Sequence, residues 1–224
     1  MSDYTTWRSL VDGEEISLIP DSVVHQWNTQ ELSGYSDGDT VTTFDDRVGS
    51  VDGSGQATYR DSSINDNPAL EFDGIDDKFD LDGINEGHPY TVIIVMEKED
   101  DSTFQFPWGG DPRSSSLQFR DSPDVWQILT DEDNIEGTED HTIEMATLVI
   151  DGPNSALRED GSETATGDAG DQQLQDAAMG YWRENDDRYF EGYIGFVEIH
   201  DGTPSDGLET REQEVADMWD ISLD

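Results

Sequence analysis

Apolar residues along this chain come in short runs separated by clusters of Gly, Asp, Asn and Pro. Val23–Trp27, Thr40–Phe44, Ala69–Phe72, Lys78–Leu81 and Tyr90–Met96 open the series. It continues through Phe104–Trp108, Ser116–Phe119, Val125–Leu129, His141–Ile150 and Ala156–Glu159, then Glu163–Thr166, Ala178–Tyr181 and Arg188–His200. Short runs bounded by turn residues read as strands, and many in succession read as an all-β sandwich. Tyr90–Met96 and Thr147–Ile150 lack a polar face and predict strands buried on both sides. Asp160-Gly161 lies between two runs, the pair favoured in a two-residue type I′ hairpin. Ser205–Trp219 predicts one short helix, with Leu208, Val215 and Trp219 toward one face. Residues 1–20, with Trp7, Leu10, Ile16, Leu18 and Ile19, predict an N-terminal arm or assembly segment. Residues 21–224 show neither repeat nor linker and predict a single domain, a normal length for one β-sandwich.

Charge changes this picture. Asp and Glu number 54 against 11 Lys and Arg, a net charge of −43. Such a balance fits either a disordered chain or a folded one coated in carboxylates. Six Trp, seven Tyr and eight Phe spread along the sequence favour the folded reading. Lys occurs only at 78 and 98, a depletion that points to a protein working in concentrated salt. The physical basis is screening: the Debye length falls from ~30 Å at 0.01 M to ~3 Å at 1 M, which removes most self-repulsion. The charge argues against nucleic acid as a partner. There is no cysteine, so disulfides and Cys-ligated zinc are excluded. No apolar stretch approaches the ~18 residues of a membrane span, so no membrane insertion is expected. Met1-Ser2-Asp3-Tyr4 does not begin a secretory signal, which suggests an intracellular protein, a virion protein released by lysis, or a processed product.

Three stretches carry a family resemblance: Asn67-Pro68-Ala69-Leu70-Glu71-Phe72-Asp73-Gly74-Ile75-Asp76-Asp77-Lys78-Phe79, the Ala156–Thr166 hairpin, and Phe190–Asp201 with the helix after it. Together they resemble the concanavalin A-like lectin/glucanase superfamily, and within it laminin G-like domains. The resemblance implies a two-sheet antiparallel jelly-roll β-sandwich with a short C-terminal helix. In Phe190–His200, a bulge near Gly195 would let Ile194 and Phe196 share one face and Tyr193, Val197 and Ile199 the other.

Three chemistries deserve weighing. Calcium wants six to eight oxygens, and Asp37, Asp39, Asp73, Asp76 and Asp77 lie in loops that supply carboxylates. The resemblance raises the expectation of a Ca2+ site there; the competing reading is that Asp73 and its neighbours cap a turn. Saccharide binding is the second, with aromatic and hydrogen-bonding candidates at Trp108, Asp111, Arg113, Trp126, Tyr181, Trp182, Arg183 and Asn185. Phe106-Pro107-Trp108-Gly109-Gly110 reads as a loop presenting Trp108, although Trp108 and Trp182 are equally readable as core, where Trp27 and Trp219 are placed. Glycoside hydrolysis is the third. It needs a carboxylate pair at a fixed separation, and Asp131-Glu132-Asp133-Asn134-Ile135-Glu136 has the wrong spacing for the superfamily's catalytic motif. His25, His88, His141 and His200 are scattered and form no metal or triad pattern.

The sequence therefore predicts a non-enzymatic recognition or assembly module. The expected setting is the surface of a virion of a halophilic archaeal virus, as a spike, turret or decoration that binds host glycan or glycoprotein. Self-assembly, or contact with other virion proteins, would run through residues 1–20. A secreted haloarchaeal adhesin is the alternative, with a glycoside hydrolase behind it.

Overall fold

The computed structural model describes residues 8–11, 14–17, 19–99, 104–111, 116–121, 124–129, 134–138, 143–204 and 207–223. Among the described residues, strands β1 (Arg8–Val11) and β2 (Glu14–Ser17) pair only with each other. The body starts with β3 (Val23–Asn28), β4 (Thr40–Phe44), β5 (Gly53–Ile64), β6 (Asn67–Asp73), β7 (Lys78–Glu86) and β8 (Tyr90–Lys98). It continues with β9 (Gln105–Asp111), β10 (Ser116–Asp121), β11 (Asp124–Leu129), β12 (Ile135–Glu136) and β13 (Met145–Ile150). β14 (Ser155–Glu159), β15 (Ser162–Gly167), β16 (Leu174–Met179), β17 (Glu191–Asp201) and helix α1 (Leu208–Trp219) complete it. The fold is nearly all β with one short C-terminal helix, as the apolar pattern predicts.

The body strands join in one antiparallel path, β12-β11-β10-β9-β16-β7-β5-β6-β17-β8-β13-β14-β15, with β3 on β17 and β4 on β5. This path curls until its ends meet. Ile135 of β12 lies so close to Gly167 of β15 that a Cβ there would sit 2.9 Å from Ile135 Cγ1. Curling encloses one apolar interior. Val92, Ile94, Leu148, Val197 and Ile199 from one end share it with Trp108, Leu117, Phe119, Trp126 and Ile128 from the other. Burial of each such side chain contributes roughly 1.5–3 kcal/mol.

Local signals explain several details. Asp160 (φ 45°) and Gly161 (φ 84°) both have positive φ, as a type I′ turn requires. The register of β17 against β8 slips between Ile194 and Phe196, so a bulge does fall at Gly195. Its effect on the faces differs from the sequence expectation. Ile194 joins Val197 and Ile199 in the interior, while Phe196 turns outward with Tyr193. The outward side, with Ile93, Val95 and Met145, receives Val215, Ala216 and Trp219 of α1. Gly195 is obligatory there, because a Cβ would lie 2.3 Å from Trp219 Cη2.

Charged groups also fasten the helix. Arg211 donates through Nε (2.8 Å) and Nη2 (2.7 Å) to the two oxygens of Glu198 on β17. His200 lies 2.6 Å from the same carboxylate, and Gln26 donates to it at 2.6 Å. Burial works to raise the Glu198 carboxyl, but the hydrogen bonds of His200 and Arg211 outweigh it and bring it down to about 2. Arg158 of β14 pairs with Glu212 at 2.9 Å.

Two expectations shift. β5 was not anticipated, since its sequence Gly-Ser-Gly-Gln-Ala-Thr-Tyr-Arg-Asp-Ser-Ser-Ile is mostly polar. The run expected as one strand over 141–150 is a strand only from Met145, and 141–142 lie outside the described residues.

Candidate functional site

A groove of about 260 Å³ opens on the outward face of β10 and β11. Strand alternation builds its floor. Leu117, Phe119, Trp126 and Ile128 point to the interior, which leaves Gln118 and Gln127 on the other face, directly opposite one another in register. Arg120 and Leu129 lie two residues further along their strands on that face and line the groove with them.

A bulge supplies the aromatic wall. Leu117 pairs with Trp108 and Phe119 with Gln105, so β9 carries an extra residue at this point. Trp108 therefore enters the interior, while Phe106 joins Leu129 and Trp182 in a separate apolar cluster. Trp182 and Arg188 close a turn: the Trp182 N–H donates to the Asp187 carbonyl at 3.0 Å, and the Phe106 N–H to the Arg188 carbonyl at 3.2 Å. Gly109 permits this approach, since a Cβ there would lie 2.6 Å from the Tyr181 carbonyl. Phe106 stacks on Trp182 at 5.4 Å and 11°. The Arg188 guanidinium lies 4.4 Å from the ring centres of both Trp182 and Phe104.

Hydrogen-bonding capacity in the groove is unused. Gln118 and Gln127 are fully buried, yet Gln118 Oε1 and both amide atoms of Gln127 have no protein partner among the described residues. Neither has Trp182 Nε1. A buried polar atom left unpaired costs roughly 1–3 kcal/mol. Residues lining one groove thus hold unpaired acceptors (Gln118 Oε1, Gln127 Oε1) and donors (Gln127 Nε2, Trp182 Nε1). Asn134 also lines it, and Arg120 pairs with Glu136 at 3.3 Å.

Of the described residues singled out as saccharide candidates in the sequence, Trp182 alone lines this groove. It is 8% exposed and stacked on Phe106, so it offers no open ring face. Trp108 and Trp126 are corrected to core residues: strand alternation turns both into the apolar interior, and Trp108 belongs to β9 rather than to an exposed loop. The Tyr181 hydroxyl donates to Asp80, and Arg183 donates to Asp80 at 3.2 Å, so both are engaged away from the groove. Asp111 is exposed at the end of β9, and the Asn185 N–H donates to the Trp182 carbonyl at 3.3 Å. Arg113, and Asp131–Asp133 of the acidic run, lie outside the described residues. Gln118 and Gln127 escaped the sequence reading because a polar residue between apolar ones in a strand normally faces water.

The acidic loops divide. Asp73, Asp76 and Asp77 bring carboxylate oxygens within 4.8 Å of one another, a donor set of the kind Ca2+ takes. Asp73 Oδ1 also accepts the N–H groups of Ile75 (2.9 Å), Asp76 (3.2 Å) and Asp77 (3.4 Å), which is a turn cap. Burial pushes the Asp73 carboxyl up, and these amides more than reverse it, leaving it lowered. Asp39 accepts from the Ser36 N–H at 2.8 Å, and Asp37 lies 3.5 Å from Arg60. These two do not join the cluster.

No family model and no curated protein matches the chain. Solved structures do. The chain is similar to the Trypanosoma rangeli sialidase in complex with sialic acid, with TM-score 0.61 and 11% identity over 96% of this chain and 36% of that one. It thus spans about a third of the sialidase's length. It is similar to domain 4 of AbnA, an extracellular GH43 arabinanase of Geobacillus stearothermophilus in complex with arabinotriose, with TM-score 0.57 and 15% identity over 87% of this chain and 99% of that domain. The botulinum neurotoxin type G receptor-binding domain gives TM-score 0.57 and 10% identity, over 87% and 52%. These likenesses are of fold. They correct the expectation of a non-enzymatic chain, because structures of a sialidase and of a domain from an arabinanase share this architecture. The fold supplies no ground for excluding glycosidase chemistry.

Proposed function

We propose that the chain recognises a saccharide, held in the groove between Gln118, Gln127 and Trp182. One observation carries this reading: three buried side chains that line one groove carry hydrogen-bonding atoms with no partner among the described residues. Sugar hydroxyls both donate and accept, so a ring with adjacent hydroxyls can satisfy such a mixed set, which a purely apolar ligand cannot. Leu129 and the aromatic wall would cover the ring's C–H faces. The arabinotriose and sialic acid complexes of structurally similar proteins support the choice of ligand class. We read the scaffold as a jelly-roll sandwich, a reading supported by its curled antiparallel sheet and shared interior.

The test is a glycan array in 2 M NaCl, with hits measured by calorimetry against the intact chain and Gln127→Leu. Binding that the variant loses supports the site. No hit, or hits the variant keeps, defeats it.

The wider setting, a surface protein working in concentrated salt, rests on the charge of −43. Lowering NaCl from 2 M to 0.05 M should lower the melting temperature steeply, because screening lengthens from a few ångströms to more than a Debye length of ~10 Å. An unchanged melting temperature would remove that setting. Attachment to a virion through residues 1–20 is tested by comparing solution mass with and without those residues in the same salt. A mass independent of them would count against it.

A further inference from the structure

We infer that the saccharide is acidic, carrying a carboxylate or sulfate that meets Arg188 and Arg120. The inference rests on the saccharide reading and concerns the charge of its ligand. Acids make up 54 of 224 residues, yet among the described residues lining the groove there is none, while two arginines are present. Two of the chain's 11 cationic side chains thus line one groove, each beside a single carboxylate at the rim: Arg120 with Glu136 at 3.3 Å and Arg188 with Asp187 at 3.9 Å.

Arg188 is set for such a contact. Its φ is 56°, the left-handed region that a non-glycine residue enters only at a steric cost. Contact with Phe104 and Trp182, both at 4.4 Å, orients its guanidinium plane. The carboxylate of Asp187 stands 3.9 Å from Nε, too long for a hydrogen bond, and the side chain is 39% exposed. A guanidinium held in this way suits paired hydrogen bonds to a planar carboxylate or to sulfate oxygens. Arg120 pairs with Glu136 at 3.3 Å in a partly exposed contact at the same groove. The buried amides and the indole N–H would then read the hydroxyls beside the acidic group.

Salt decides whether this works on a molecule of charge −43. At low ionic strength the whole-molecule field repels an anion before it reaches the groove. At 1 M the field dies within ~3 Å, which leaves a direct guanidinium contact in place. Recognition of an anion by this protein therefore belongs to concentrated salt.

The experiment uses matched pairs in 1 M NaCl: oligogalacturonates beside their methyl esters, and sulfated and sialylated oligosaccharides beside their desulfated and desialylated counterparts. Dissociation constants are measured for the intact chain, Arg188→Gln, Arg188→Lys and Gln127→Leu, each checked for an intact thermal transition. The expected result is at least tenfold tighter binding of the acidic member of a bound pair. Arg188→Gln should erase that preference, Arg188→Lys should keep part of it, and Gln127→Leu should weaken both members. The uronate and sulfate pairs show which anion is read. Equal or tighter binding of neutral members overturns the inference and leaves the saccharide reading standing. A preference that survives Arg188→Gln also overturns it. Failure of every member to bind overturns both.

Discussion

Replacing Gln127 by leucine should stabilise the protein while weakening the saccharide binding proposed for the groove. The side chain is fully buried on β11, and neither amide atom has a protein partner. Removing an unpaired buried amide recovers part of the roughly 1–3 kcal/mol that its desolvation costs. Leucine has similar volume and sits beside Leu129, Phe106 and Trp182, so it adds apolar contact without overfilling. We place the gain at the low end, about 1 kcal/mol. For a chain of this size that raises the melting temperature by roughly 2–4 °C. Differential scanning calorimetry in 2 M NaCl reads it. A structural glutamine gives the opposite sign. If Gln127→Leu lost 1 kcal/mol or more, the amide would be paired in the folded state and the groove would not be waiting for a ligand.

Three further outcomes follow from the helix face of the fold. Arg211→Met should cost about 3–5 kcal/mol in urea denaturation, because it strands the buried Glu198 carboxylate, whereas Glu198→Gln/Arg211→Met should recover most of that loss. The Glu198 carboxyl lies at about 2 when folded against an ordinary 4.5, so its contribution of about 3 kcal/mol is complete above pH 4.5 and disappears as pH falls toward 2. Comparing acid denaturation of the intact chain with Glu198→Gln isolates this limb from the general relief of repulsion as other acids protonate; identical curves would refute it. Gly195→Ala should destabilise by about 1–3 kcal/mol and red-shift tryptophan emission, since its Cβ would overlap the Trp219 ring.

The strands of this protein are written locally. Tyr90–Met96 and Val125–Leu129 are recognisable because an apolar run or alternation lies within each segment. The Asp160-Gly161 turn is equally local, since the two residues tolerate the positive φ it needs. β5 was illegible for the converse reason: its buried positions, Gly53, Ala57, Tyr59 and Ile64, follow no simple period, and pairing with β4, β6 and β7 holds it in the sheet. Helix α1 shows the same limit, because its buried face includes Arg211 and Glu212, which only partners on β17 and β14 make tolerable.

The order of residues sufficed to specify a β-rich body, one terminal helix and a surface dominated by carboxylates, because periodicity and charge are properties of neighbours along the chain. It could not specify which tryptophan would meet a ligand. Trp108 and Trp182 look alike in sequence, and a single bulge in β9 with a tight turn at 182–188 sends one inward and sets the other at the groove. Gln118 and Gln127 come to line one groove with Phe104 and Trp182 only when two strands pair in register and distant segments fold against them. Tertiary structure decides such matters because desolvation depends on what the folded chain brings together from far apart.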